Sequence, residues 1–330
     1  MEILMQWGIT VVLALQRLHG LTGVMQFYSF FGSEEFFLVV MPALYWCVDA
    51  SVGIRLAVML VASNSLNSLL KVAFHLPRPY WVDRRVQGLS VETAYGLPSA
   101  HAMNSTTIWG FLALQLQKWW TWAIALVLIF LISLSRLYLG MHFPTDVFAG
   151  WLFGALVLAA FAAWERPIAA WLKRLELWPQ IGLAVAVSLV YMVVYGGILA
   201  ALAASPDPAA WEQNAAAATP PPAGQTAIDP RTPDHAATSG GMILGLGATL
   251  ALNARRPKFD ARGPWLKRIL RYGLGVVGML IVWLGLKLIT PPGSFIVEAV
   301  FRYFRYGLAV FWALYLAPIV FVRLKLAEQA

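Results

Sequence analysis

The chain has 330 residues, of which 60% are hydrophobic and only 12% charged, with a formal net charge of +8 and a single cysteine, Cys47. Soluble domains carry roughly 25% charged residues, and here apolar runs of about twenty residues recur, so the composition excludes an ordinary soluble protein and points to a polytopic helical membrane protein. The runs are continuous rather than alternating, which excludes an outer-membrane barrel, and one cysteine inside an apolar run excludes a disulfide framework.

The N-terminus, MEILMQWGIT, has no basic region and no A-x-A cleavage site after it, so it is not read as a cleaved signal peptide. Residues 3–30 are apolar with scattered polar positions and suit an interfacial helix or a partial span. Nine spans follow, at 35–48, 53–74, 100–118, 120–139, 144–164, 179–203, 238–254, 269–290 and 303–322, giving an all-α transmembrane bundle. With nine spans, fourteen of the 24 lysines and arginines fall on the side of loops 165–178 and 254–268 and the C-terminus. The positive-inside rule places that side in the cytoplasm. The positive charge thus belongs to cytoplasmic loops, with no call for nucleic acid. Residues 204–237 are rich in alanine and proline and read as a long, exposed, mobile extracytoplasmic linker, with a lid as the sharper alternative.

Three short motifs sit at span ends on the face opposite the basic loops. The first is KVAFHLPRP, Lys71 to Pro79. Asn64, Asn67, Ser68 and Lys71 recur at helical spacing and share a face that turns toward the bundle interior. Pro77 and Pro79 stop the helix and stiffen the backbone around Arg78, whose planar fork suits phosphate oxygens. The second is LPSAHAMNS, where Pro98, Ser99, Ala100 and His101 open a span. Free N–H groups at a helix start favour an anion, and Ser99 is also a capping residue. The third is SRLYLGMHFPTD, with Arg136 closing one span and His142 four residues before Asp146 at the start of the next. An Asp there can orient and polarise the imidazole. Three convergent cations, Lys71, Arg78 and Arg136, repel one another unless an anion joins them, and phosphate matches arginine geometry. Two histidines, one with an Asp partner, fit covalent catalysis with proton transfer.

The pattern K-x6-RP, PS-x-H and SR-x5-H-x3-D resembles the signature of the type 2 phosphatidic acid phosphatase superfamily, over about residues 60–155. Ala100 stands where that family often has Gly, a position that mainly offers its backbone N–H. The resemblance implies a phosphatidic acid phosphatase/haloperoxidase-type core and a metal-free, two-step phosphoryl transfer. His142 would attack phosphorus and become phosphohistidine, Asp146 would orient it, and His101 would protonate the leaving oxygen and then activate water. Lys71, Arg78, Ser99, Ala100 and Arg136 would hold the phosphate.

GLPSAHAMNS and SRLYLGMH look like the sphingosine-1-phosphate phosphatase branch and its lipid-phosphatase relatives, whereas the nine-span layout, RPYW and SRLYL…HFP are similar to glucose-6-phosphatase. Asp146 fits the lipid pattern, and an active face at the membrane surface suits an amphiphile. The expectation is an integral membrane lipid phosphate (or isoprenyl diphosphate) phosphatase with no cofactor and no metal site, its substrate and the bilayer being its partners. The site would face the periplasm, the cell exterior or a lumen. A sugar-phosphate phosphatase, a phosphotransferase, and a transporter with a phosphate pocket are the alternatives. The expected organisation is a catalytic core over 1–165, a sixth span with its cytoplasmic lead-in over 166–203, the 204–237 loop, and a three-span extension over 238–330. Gly240, Gly241, Gly245 and Gly247 would permit close packing in that extension. Trp81, next to Arg78-Pro79-Tyr80, reads as an interfacial belt residue, with lining of the substrate entry as the alternative.

Overall fold

A computed structural model describes residues 2–221, 226–256, 259–291 and 293–329. Lys258 and residues 222–225 of the alanine/proline segment lie outside the described residues. Helices follow in the order α1 (Glu2–Gln16), α2 (Thr22–Phe30), α3 (Glu34–Cys47), α4 (Ala50–Phe74), α5 (Pro79–Val82), α6 (Ala100–Leu116), α7 (Trp119–Tyr138), α8 (Pro144–Leu172), α9 (Leu177–Leu202), α10 (Ala209–Ala218), α11 (Asp234–Asn253), α12 (Trp265–Leu288), α13 (Phe295–Phe311) and α14 (Ala317–Arg323), with a π-helical turn, Trp312–Leu316, joining the last two. No strand is present among the described residues, so the architecture is all-α. Among the described residues, seven helical stretches are long and apolar enough to cross a membrane, or eight if α2 and α3, bent by 42°, form one span. Nine spans were expected. The difference lies at the expected span 35–48, which reaches that length only as the bent α2–α3 pair, and at α6, whose 17 residues open with the polar run AHAMNSTT, so it is shorter and more polar than a lipid-facing helix.

Two compact units result. The first contains Met1–Phe37, Ala62–Phe161 and Gly197–Thr232, and the second Leu38–Val61, Ala162–Gly196 and Pro233–Ala330. In the first unit α1 and α2 pack on α7, α6 packs on α7, and α10 packs on α5. Its core gathers Val12, Tyr80, Trp81, Tyr95, Tyr138, Met141 and Phe143 together with Ala215, Ala227 and Ile228. The segment 204–237 therefore does not run as a bare linker. Through residue 232 it contributes a helix and buried apolar side chains to this unit.

The polar stripe on α4 turns inward as its spacing predicts. Ser63 donates to Asn104 Oδ1 (2.6 Å), Asn104 donates to Asn64 Oδ1 (2.6 Å), and Asn67 donates to the Pro98 carbonyl (3.1 Å). Polar groups in a membrane bundle need such internal partners, because lipid offers none.

In the second unit, α11 lies against α13 at backbone distance. A Cβ at Gly241 or Gly245 would collide with the main chain of Tyr303 or Gly307, so the absence of side chains sets the closeness of this pair. Pro318 has no N–H to offer the Leu314 carbonyl four residues back. Tyr45 (2.8 Å) and Asn253 (3.2 Å) donate to that oxygen instead.

Candidate active site

All eight residues singled out from the sequence lie in the first unit, and each sits at a helix end. Lys71 ends α4, Arg78 precedes α5, Ser99 caps α6, Ala100 and His101 begin it, Arg136 ends α7, His142 precedes α8, and Asp146 lies in its first turn. The local reasons are plain. The backbone of Arg78 is extended (φ −96°, ψ 159°) before Pro79, and Pro at the first helical position starts α5 and α8. Ser99 is extended and its hydroxyl accepts from the Ala102 amide, while the first-turn amides of α6 lack intrahelical acceptors.

These ends are fastened to one another. The Ser99 amide donates to the Asp146 carbonyl (3.0 Å), tying the start of α6 to the start of α8. Asp146 Oδ2 accepts the Phe143 amide (2.9 Å) and faces His142 Nδ1 at 3.3 Å. On the other side of the ring, Arg78 Nη1 lies 3.3 Å from His142 Nε2. A guanidinium only donates, so Nε2 carries the lone pair and the ring proton sits on Nδ1, directed at Asp146. His142 is 1% exposed. Burial first, then the positive charges of Arg78, Lys71 and Arg136, hold its pKa well below that of an ordinary imidazole, so the ring is neutral.

Lys71 and Arg78 are anchored by backbone carbonyls, mostly of the loop 83–99. Lys71 Nζ donates to Tyr95 O, and Arg78 donates to Ala94 O (2.7 Å), Tyr95 O (3.2 Å) and Met141 O (3.0 Å). Gly96 lets this loop lie close. A Cβ there would stand 2.6 Å from Pro77 O and 3.1 Å from Asp146 Oδ2.

Sequence reasoning missed Glu92. Its carboxylate accepts from Arg136 Nη2 (2.6 Å) and lies 3.4 Å from Arg78 Nη2, so one acid bridges two guanidiniums. Its own burial raises its pKa, but Arg78 and Arg136 outweigh this and bring it down to about 2. The signal was the charge count itself, since three buried cations demand a counter-anion nearby. Ser29, which accepts from Arg136 Nη1 (2.8 Å), was also missed. Trp81 is no belt residue. It is fully buried, with Arg78 6.0 Å from its ring centre and Tyr95 and Trp211 as aromatic neighbours.

Among the described residues, no cluster of three or more His, Cys, Asp or Glu could hold a metal ion. The fold thus gathers buried cationic donors around a neutral, oriented imidazole, an arrangement whose chemistry suits a phosphoryl group.

Comparison with known proteins locates this arrangement. Residues 52–168 match the PAP2 superfamily, and residues 237–329 match the PAP2 superfamily phosphatase, transmembrane extension. The chain is 32% identical over 136 residues to sphingosine-1-phosphate phosphatase 1 of Rattus norvegicus, covering 39% of this chain and 32% of that protein. The match thus spans about a third of that relative's length. It is 32% identical over 139 residues to undecaprenyl-diphosphatase of Sulfolobus acidocaldarius, covering 42% of this chain and 67% of that one. A crystal structure of a transmembrane PAP2-type phosphatidylglycerolphosphate phosphatase from Bacillus subtilis is similar at a TM-score of 0.44 and 24% identity, over 51% of this chain and 89% of the other. With the archaeal relative matched over two thirds of its length, and both the motif-bearing region and the C-terminal helices described by one family, this chain belongs to the PAP2 superfamily and is an integral membrane protein.

Proposed function

We propose that this protein is a membrane phosphatase that hydrolyses a lipid phosphate monoester or an isoprenyl diphosphate through a phosphohistidine on His142. The observation that carries the reading is the tautomer. Asp146 accepts from the Nδ1–H, which leaves the Nε2 lone pair of a neutral imidazole beside Arg78. Lys71, Arg78 and Arg136, with the first-turn amides of α6 after Ser99, balance the charge of a bound phosphate. Nε2 attacks phosphorus as the P–O bond to the leaving group breaks, and His101 gives that oxygen a proton. Water then attacks phosphorus, His101 takes its proton, and the P–N bond breaks to return His142 to its starting state. No metal takes part in either step.

The relatives named above support a lipid substrate by their names: one acts on sphingosine-1-phosphate and one on undecaprenyl diphosphate. A site built at helix ends admits a polar head while the tail stays in lipid. Counted on nine spans, the excess of lysine and arginine in the loops around 165–178 and 254–268 supports a cytoplasmic side for those loops and the C-terminus, and a periplasmic, extracellular or lumenal face for the site. In this reading the catalytic residues belong to the first compact unit, and residues 238–330 form a C-terminal extension.

The test is phosphate release by the detergent-purified protein with chelator present, on phosphatidic acid, sphingosine-1-phosphate, an isoprenyl diphosphate and glucose-6-phosphate, with His142→Ala beside the wild type. Chelator-resistant release from lipids that His142→Ala abolishes is the expected result. Release from glucose-6-phosphate alone, or chelator-sensitive release, overturns the substrate or the mechanism respectively.

A further inference from the structure

The segment 204–232 reaches back to the loop that holds the phosphate-binding cations. At its centre is Tyr95, whose side chain is fully buried. The Tyr95 hydroxyl donates to the Asp207 carboxylate (3.0 and 2.9 Å) and accepts from Arg231 Nε (2.9 Å). Arg231 also grips Asp207 directly, with Nη2 2.7 Å from Oδ1 and Nε 2.9 Å from Oδ2. Its remaining donors go to the Leu202 and Ser205 carbonyls, both at 2.6 Å. Such a side chain has no freedom left. Burial and the hydrogen bond to Asp207 raise the Tyr95 pKa, so the phenol stays protonated and donates.

Other ties run in parallel. The Asp229 amide donates to Thr93 O (3.1 Å), Asn214 donates to Trp81 O (2.8 Å), Arg84 donates to Asn214 Oδ1 (2.7 Å), and Thr219 donates to Gly88 O (3.2 Å). The loop 83–99 is thus pinned from outside along most of its length. Its inner edge is the backbone that orients the site, since the Tyr95 carbonyl accepts from both Lys71 and Arg78.

We propose that Tyr95, Asp207 and Arg231 are positioning residues, which fix the Tyr95 backbone so that its carbonyl keeps Lys71 and Arg78 aimed at the phosphate. The alanine/proline-rich segment is then a working part of the catalytic unit, although it lies outside the stretch at 52–168 that carries the family motifs. This inference rests on the phosphatase reading for its kinetic effect, but not for its structural one.

Tyr95→Phe removes only the hydroxyl and leaves the carbonyl, and Asp207→Asn removes only the charge. Each variant is expected to raise KM for the lipid phosphate, and the inhibition constant of orthovanadate, about tenfold, with kcat changed less than about threefold, because a hydrogen bond to a charged group is lost while the nucleophile is untouched. Amide hydrogen exchange of Gly96, whose N–H is bonded to Leu76 O at 2.8 Å, is expected to quicken in the substrate-free variants. Folded variants with wild-type KM, wild-type vanadate inhibition and unchanged Gly96 exchange would overturn the proposal. If the wild type releases no phosphate from any lipid, the phosphatase reading fails on its own. Gly96 exchange then decides the brace alone: faster exchange in Tyr95→Phe upholds it and unchanged exchange rejects it.

Discussion

Glu92 bridges Arg136 and Arg78, with one carboxylate oxygen 2.6 Å from the first guanidinium and the other 3.4 Å from the second. The carboxylate thus occupies the place between the two arginines where a phosphate group would also find its best partners. Glu92 is 28% exposed, unlike the buried guanidiniums it joins.

A charged occupant competes with a charged ligand. Glu92→Gln is expected to strengthen inhibition by inorganic phosphate or orthovanadate about three- to tenfold, since a neighbouring negative charge is removed. The same change lowers the melting temperature, because two buried guanidiniums lose their counter-charge. Weaker inhibition in a folded Glu92→Gln protein would mean that the acid serves only to hold the arginines.

Asp146 fixes the tautomer of His142. Asp146→Asn is expected to cut kcat by about ten-thousandfold, as loss of an orienting carboxylate does in comparable His–Asp pairs, while leaving vanadate binding within a few-fold. Initial rates on the preferred lipid, beside a vanadate titration, check this. A kcat within tenfold of wild type would show that the proton on Nδ1 is placed by something else.

The low pKa of His142 sets a pH limit with a definite sign. In the proposed mechanism the attacking ring must be neutral, and burial together with Arg78, Lys71 and Arg136 keeps it neutral at pH values where a free imidazole is protonated. The acid limb of kcat/KM is therefore expected below about pH 6.5, the ordinary imidazole value. Arg78→Gln should move that limb upward. Stability follows the same sign. Below pH 6.5 the unfolded chain binds a proton that folded His142 refuses, so this residue's contribution to stability is lost as pH falls. A wild-type acid limb above pH 6.5 would contradict the assignment.

Asn104 joins Ser63 and Asn64 inside the bundle. Asn104→Leu leaves both partners unsatisfied and is expected to cost about 1–2 kcal/mol, within the range for unpaired polar groups in protein and membrane interiors. Thermal unfolding in detergent measures it. An unchanged midpoint would mean that Ser63 and Asn64 find other partners.

The sequence by itself determined the membrane class, the all-α architecture and the family, and it named the eight motif residues that the fold gathers at helix ends of one unit. These are properties of local pattern. Apolar runs set the helices, prolines at 77, 79 and 144 set their ends, and the spacing of His142 and Asp146 puts both on one turn. Glu92, Tyr95, Asp207 and Arg231 carry no such pattern, because their roles come from contacts between stretches 14 to 136 residues apart in the chain. Only the tertiary structure decided that Glu92 balances the arginines, and that a segment reading as a mobile linker folds back on the loop beside the site. The physical reason is that a buried charge selects its partner by proximity in space, and the length of chain between the two leaves no trace in the sequence.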